Sequence, residues 1–243
     1  MKKVAIITGA SRGIGAATAL LLAKNNYAVC INYHQSQLKA DQIVHAIQQN
    51  DGVAIAIQAN LACEQDVVRL FESVDQHFGP VSALINNAGT NGGICGVEHI
   101  TTDRLQHVFA TNVFGTFIAC REAVKRMKKI SGGNIINVSS EAARFGGTNL
   151  AHYAASKAAI NTLTIGFARE VATYNIRVNT VSPGVIDTEL HHSSPPERIE
   201  NLLKTLPMGR MGKTQEVSEL ILWLLSDAAS YISGAIIPIT GAR

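Results

Sequence analysis

Val4-Ala5-Ile6-Ile7-Thr8-Gly9-Ala10-Ser11-Arg12-Gly13-Ile14-Gly15 opens the chain and settles its fold class. Four apolar residues run into a glycine-rich turn, and Gly13–Asn25 follows with the spacing of a helix. A strand that ends in such a turn and re-enters as a helix is the start of a βαβ unit. Gly9, Gly13 and Gly15 carry no Cβ, so the turn is tight and its backbone can approach a ligand closely. The helix that begins there offers unpaired N–H groups and a positive dipole end to an anion. G-x-x-x-G-x-G is one variant of the dinucleotide-binding loop, and the strand–loop–helix setting gives it a weight that glycines alone lack.

Outward from this unit the alternation repeats. The apolar runs Ala28–Asn32, Val53–Gln58, Ala83–Asn86, Asn134–Val138, Arg177–Val181 and Ala235–Ile239 read as strands. Between them Ser36–Asn50, Glu64–Phe78, Thr102–Ile130, Leu150–Tyr174 and Thr214–Ser226 read as helices. The strands are continuously apolar, as parallel strands buried on both faces must be. The expectation is an α/β protein: a single doubly wound Rossmann-type domain over residues 1–243, with a parallel seven-stranded sheet between two helical layers. No linker or repeat interrupts it. Glu189–Gly212, rich in Pro, His and Ser, is expected to be a mobile substrate loop over the carboxyl edge of the sheet.

Composition excludes several alternatives. With 47% hydrophobic and 16% charged residues, the 243-residue chain has the makings of a large core and is not disordered. The net charge of +3 is too mild for a nucleic-acid partner. Lys125, Arg126, Lys128 and Lys129 read as a solvated helix end. The apolar run Val4–Ile7 after Lys2-Lys3 is too short for a signal peptide, and Leu220–Leu225 is far too short to span a membrane. Cys30, Cys63, Cys95 and Cys120 form no C-x-x-C pair, which fits reduced thiols in a cytoplasmic protein. The adjacent His191-His192 lacks an acidic partner cluster, so no metal site is expected.

The dinucleotide is expected to be NADP(H) in preference to NAD(H). NAD sites place an acid at the end of the second strand, against the ribose hydroxyls. Here that place reads Asn32-Tyr33-His34, and Arg12 in the glycine loop offers a fork that matches a 2′-phosphate.

Tyr153 and Lys157 stand four apart on one helix face. A free phenol titrates at about 10, and a nearby ammonium favours the phenolate, which points to proton transfer coupled to carbonyl reduction. Ser139-Ser140 and Asn86-Asn87-Ala88-Gly89 end strands, Pro183-Gly184 with Ile186 and Thr188 follows another, and Asn112 lies in the long helical region. Carboxyl ends of strands are where open α/β sheets bind ligands.

Together these motifs resemble those of the classical short-chain dehydrogenase/reductases, in order and over essentially the whole chain. The resemblance implies that Tyr153 is the general acid–base, that Lys157 lowers its pKa and holds the nicotinamide ribose, and that Ser140 orients the substrate oxygen. Asn112 is implied to hold a relay water, and Ser139 to be structural. Gly9, Ser11, Arg12, Gly13, Ile14, Gly15, Asn32, Tyr33, Asn60, Leu61, Asn87, Ala88, Gly89, Pro183, Gly184, Ile186 and Thr188 are implied to line the cofactor, with Tyr153 and Lys157. Asn60 stands where the family often has an Asp against adenine, and its amide can still donate and accept.

Among such enzymes the chain is similar to 3-oxoacyl-carrier-protein reductases and glucose 1-dehydrogenases. Ser131 and Tyr174 stand where the carrier-protein reductases often have arginines, which disfavours an acyl carrier protein partner and leaves a small carbonyl or alcohol as substrate. Glu141, Phe145, His152, His191 and His192 are candidates to line its pocket. A silent dinucleotide-sensing regulator is the alternative on the same fold, but such proteins lose a catalytic group and this chain keeps all four. The resemblance also implies a homotetramer built from the last two long helices and the final strand. The apolar residues around much of Leu150–Tyr174 agree with that.

Overall fold

The computed structural model describes residues 2–189 and 196–243. Seven strands, β1 (Lys3–Ile7), β2 (Tyr27–Tyr33), β3 (Val53–Gln58), β4 (Ala83–Asn86), β5 (Gly133–Val138), β6 (Ile176–Pro183) and β7 (Ile236–Ile239), form one sheet. The order is β3-β2-β1-β4-β5-β6-β7 and every pairing is parallel. The order reverses between β1 and β4, which opens a crevice at their carboxyl ends.

Strand alternation sends neighbouring residues into two separate cores. Ala5 and Ile7 face helices α1 (Gly13–Lys24), α2 (Gln37–Gln48) and α9 (Thr214–Leu225). Val4 and Ile6 face α3 (Glu64–Phe78), α5 (Gly115–Met127) and α7 (Ala151–Val171). Cys30 and Cys120 are buried in the second of these, where desolvation raises both thiol pKa values. All four cysteines are free. No described helix is long and apolar enough to cross a membrane.

The structure departs from the expected elements in three places. The long helical region expected over Thr102–Ile130 is divided into α4 (Thr102–Phe109), a π-helical turn (Ala110–Phe114), α5 and a final 3-10 turn (Lys128–Ile130). A short helix, α6 (Ala142–Phe145), follows β5 directly. Within Glu189–Gly212, residues 190–195 lie outside the described ones, but the remainder is not irregular throughout. It contains α8 (Pro196–Lys204), and Gly212 returns to pair with Ile186. That pairing fixes the end of the stretch to the carboxyl edge of β6.

Candidate active site

The glycine loop is held from both sides by side-chain amides. Gly9 N–H donates to Asn32 Oδ1 at 3.2 Å, while Asn32 Nδ2 reaches the carbonyls of Ile57 and Ala59 at 3.4 and 3.2 Å. Asn87 Nδ2 donates to the carbonyls of Thr8 and Gly9 at 2.9 and 3.1 Å. Thr8 Oγ1 accepts from the N–H groups of Asn87 and Ala88, each at 3.0 Å. Asn32 and Asn87, both expected at the cofactor, therefore spend their amides on bracing the loop that would hold it. Gly9 has φ +61°, and a Cβ there would sit 2.8 Å from Ala88 Cα. A Cβ on Gly15 would meet Asn87 Nδ2 at 2.5 Å. No side chain caps α1 and no acid sits in its first turn, so its N-terminal N–H groups suit a pyrophosphate. Ser11 and Ile14 border this end half-buried, and Arg12 is exposed.

The next wall is the turn after β3. Asn60 N–H donates to Asp66 Oδ2 at 2.8 Å, and its Oδ1 accepts from Ala62 N–H at 3.1 Å. The first of these bonds, with Arg69, holds the Asp66 carboxyl below its usual range. Asn60 Oδ1 is thus committed locally, and the NH2 is the half of the amide suited to a ligand. Leu61 is buried against Gly115 at the start of α5. Tyr33 ends β2 half-buried.

The proton-transfer groups converge where β5 meets α7. Ser139 Oγ donates to the Lys157 carbonyl at 3.0 Å, which makes it structural, and Lys157 Nζ donates to the Val138 carbonyl at 2.8 Å. Ser140 Oγ accepts from Ala142 N–H at 3.2 Å. Lys157 Nζ lies 5.8 Å from the centroid of the Tyr153 ring. The electrostatics differ from the expectation. Burial pushes the Tyr153 phenol up, and only the hydrogen bond with Ser140 pulls it down. Burial likewise brings Lys157 down to about 8. Burial in this cleft thus disfavours both charged forms, the phenolate and the ammonium.

Asn112 lies in the π-helical turn and is fully engaged. Its Nδ2 donates to the Thr90 carbonyl and to Ser156 Oγ, both at 2.9 Å, and its Oδ1 accepts from Thr90 N–H at 2.8 Å. Its own carbonyl accepts from Thr116 Oγ1 at 2.8 Å. A Cβ on Gly89 would lie 3.3 Å from Asn112 Oδ1 and 3.4 Å from Lys157 Nζ, so glycine at 89 keeps the space between them open.

Beyond β6, Gly184 N–H donates to the Ile239 carbonyl at 3.0 Å, and Ile186 is buried. Thr188 Cγ2 sits 3.5 Å from where a Gly13 Cβ would be, which brings the far end of the site back over the glycine loop. Pro183 ends β6, and its carbonyl accepts from Glu141 N–H at 2.9 Å. The Glu141 side chain, 13% exposed, pairs with Arg243 Nε at 3.1 Å, and burial raises its pKa. Phe145 is exposed beneath the Arg144 guanidinium. His152 is buried, with Nε2 2.8 Å from the Asn91 carbonyl. His191 and His192 lie outside the described residues.

Residues 3–199 match the short chain dehydrogenase family. The chain belongs to the short-chain dehydrogenase/reductase family. It is an oxidoreductase of that family, whose members use a nicotinamide cofactor. It is 47% identical over 245 residues to the uncharacterized oxidoreductase YgfF of Escherichia coli (strain K12), covering 99% of each chain. It is 34% identical over 241 residues to glucose 1-dehydrogenase 2 of Bacillus subtilis (strain 168), covering 98% of this chain and 93% of that one. A mutant short-chain dehydrogenase/reductase of Serratia marcescens superposes with a TM-score of 0.93 at 36% identity, covering 99% of this chain and 97% of that one.

Three residues of the dehydrogenase site carry no role in the sequence reading. Thr8 clamps β4 to the glycine loop, Ser156 receives Asn112, and Asp66 anchors Asn60. Thr8 at the end of β1 and Ser156 beside Lys157 were marked by position. Nothing in the pattern distinguishes Asp66 from an ordinary acid in the first turn of a helix.

Proposed function

We propose that the protein is a cytoplasmic NADP(H)-dependent carbonyl reductase or alcohol dehydrogenase with Tyr153 as general acid–base. The convergence of Ser140, Tyr153 and Lys157 at the end of β5 carries this reading. The bound nicotinamide supplies or accepts hydride at C4. The N–H groups of the uncapped α1 hold the pyrophosphate, and Arg12 receives the 2′-phosphate beside a β2 end that carries no acid. Ala88 and Gly89 border the nicotinamide ribose, with Pro183, Gly184, Ile186 and Thr188 on the other side.

Ser140 holds the substrate oxygen beside the phenol. In reduction Tyr153 gives its proton to that oxygen, and in oxidation it removes it. A phenol whose pKa is raised by burial keeps the proton that reduction needs. Lys157 binds the ribose and replenishes the phenol proton. Asn112 holds the loop at Thr90 and the α7 turn at Ser156 in register around these groups.

The substrate is a small carbonyl or secondary alcohol, with sugars the first class to screen, given the similarity to a glucose 1-dehydrogenase. Lys128 sits 3.7 Å over the Tyr174 ring, so one cation near the carrier-protein position is already spent within the chain. Tyr153→Phe removes the proton donor and keeps the ring. It is expected to lower turnover by about a thousandfold or more, with the affinity for NADPH, read by its fluorescence, unchanged. A variant that stays fully active overturns the mechanism.

A further inference from the structure

Two cations from separate elements converge on one carboxylate oxygen at the lip of the cofactor crevice. Lys39 Nζ, in the first turn of α2, lies 2.5 Å from Glu189 Oε2. Arg12 Nη1, in the glycine loop, lies 4.0 Å from the same oxygen. The positions are 150 residues apart in sequence for the lysine pair, so the fold and not local sequence builds this cluster. Glu189 directly follows Thr188, which packs over Gly13, so its carboxylate is carried to the adenosine end by the same segment that covers the glycine loop.

All three side chains are about half exposed. Exposed pairs of this kind contribute little to stability. What the geometry provides is an anion position bracketed by two cations, close to a β2 end that carries no acid. A phosphate monoester brings more charge and more acceptor oxygens to such a position than a carboxylate does.

We infer that Lys39 is a second ligand of the cofactor's 2′-phosphate, beside Arg12, and that Glu189 is the internal counter-ion which that phosphate displaces. The inference rests on the NADP(H) reading above and adds two residues to it. Lys39 raises the preference for the phosphorylated cofactor, and Glu189 lowers it by competing for the same two cations. The 2′-hydroxyl of NAD(H) does not carry the charge to displace Glu189, so the carboxylate also leaves the unphosphorylated cofactor without the benefit of those cations.

Calorimetric titration with 2′,5′-ADP and with 5′-ADP tests this without turnover. The wild type is expected to prefer 2′,5′-ADP. Lys39→Gln is expected to weaken 2′,5′-ADP by about tenfold and to leave 5′-ADP unchanged. Glu189→Gln is expected to tighten 2′,5′-ADP several-fold, again with 5′-ADP unchanged. A wild type indifferent to the 2′-phosphate overturns the NADP(H) reading and this inference together. A wild-type preference that falls with Arg12→Gln but not with Lys39→Gln, or that does not rise with Glu189→Gln, overturns this inference alone.

Discussion

Lys157 is held where its charge is disfavoured, and this has a measurable consequence. Its pKa falls from 10.5 to about 8 on folding because the ammonium is desolvated. Between those values the unfolded chain binds a proton that the folded one does not, so stability rises with pH across that window. At pH 7 the folded state carries a cost of about 3 kcal/mol. Replacing the side chain with methionine keeps its length and removes the charge, but it also deprives the Val138 carbonyl of a donor, a loss of about 1 kcal/mol. Lys157→Met is therefore expected to be inactive yet about 2 kcal/mol more stable at pH 7, with the advantage shrinking at pH 10. Urea unfolding at the two pH values checks this, and a variant less stable than wild type at pH 7 contradicts it. The pairing of Tyr153 with Lys157 was legible from their spacing. The direction of their pKa values was not, because it depends on how dry the cleft is. Asn32 shows the same gap: its place at the end of β2 was legible, but a buried amide that braces Gly9 looks in sequence like one that faces a ligand.

The strands were legible as elements because each is a continuous apolar run, and their alternation with helices leaves few topologies to choose from. The division of Thr102–Ile130 was not. A π-helical turn inserts one extra residue and slips the 3.6-residue phase once, a change too small to separate from the scatter of a helical pattern this short. Yet that turn places Asn112 against Thr90 and Ser156. The four residues of α6 are too few to show any period. α8 did carry a helix-start signal, Pro196 followed by Glu197, inside a composition that reads as loop. Where α5 begins, a Cβ on Gly115 would lie 2.6 Å from the Leu61 carbonyl oxygen and 2.8 Å from Leu61 Cβ. The oxygen is backbone and cannot rotate away, so the whole Asn60-Leu61 turn must move. Gly115→Ala is expected to cost about 2 kcal/mol and to weaken 5′-ADP binding through that turn. Thermal unfolding and calorimetry read the two effects, and an unchanged melting temperature would falsify the close approach.

At the scale of the molecule, two apolar faces are left uncovered by the described residues. On one, Phe114 and Phe117 project from the π-helical turn and α5, 59% and 44% exposed, with Phe117 edge-on to Phe167 of α7 at 5.3 Å and Ile165 nearby in sequence. On the other, Trp223 of α9, Tyr231 and Ile236 of β7 are exposed at the edge where the sheet ends. Large exposed aromatic groups at an open sheet edge and on a helix pair are surfaces that closed oligomers cover. A self-complementary contact on each face gives a twofold axis, and the homotetramer that the family resemblance implies requires the two axes to be perpendicular and to intersect. The faces are on separate elements, so each can be disabled alone. Phe117→Glu is expected to leave dimers joined through α9 and β7, Trp223→Glu dimers joined through α5 and α7, and the double variant monomers. Sedimentation velocity distinguishes these species by mass. A monomeric wild type removes the tetramer, and a single variant that falls directly to monomer shows that one face, not two, holds the assembly.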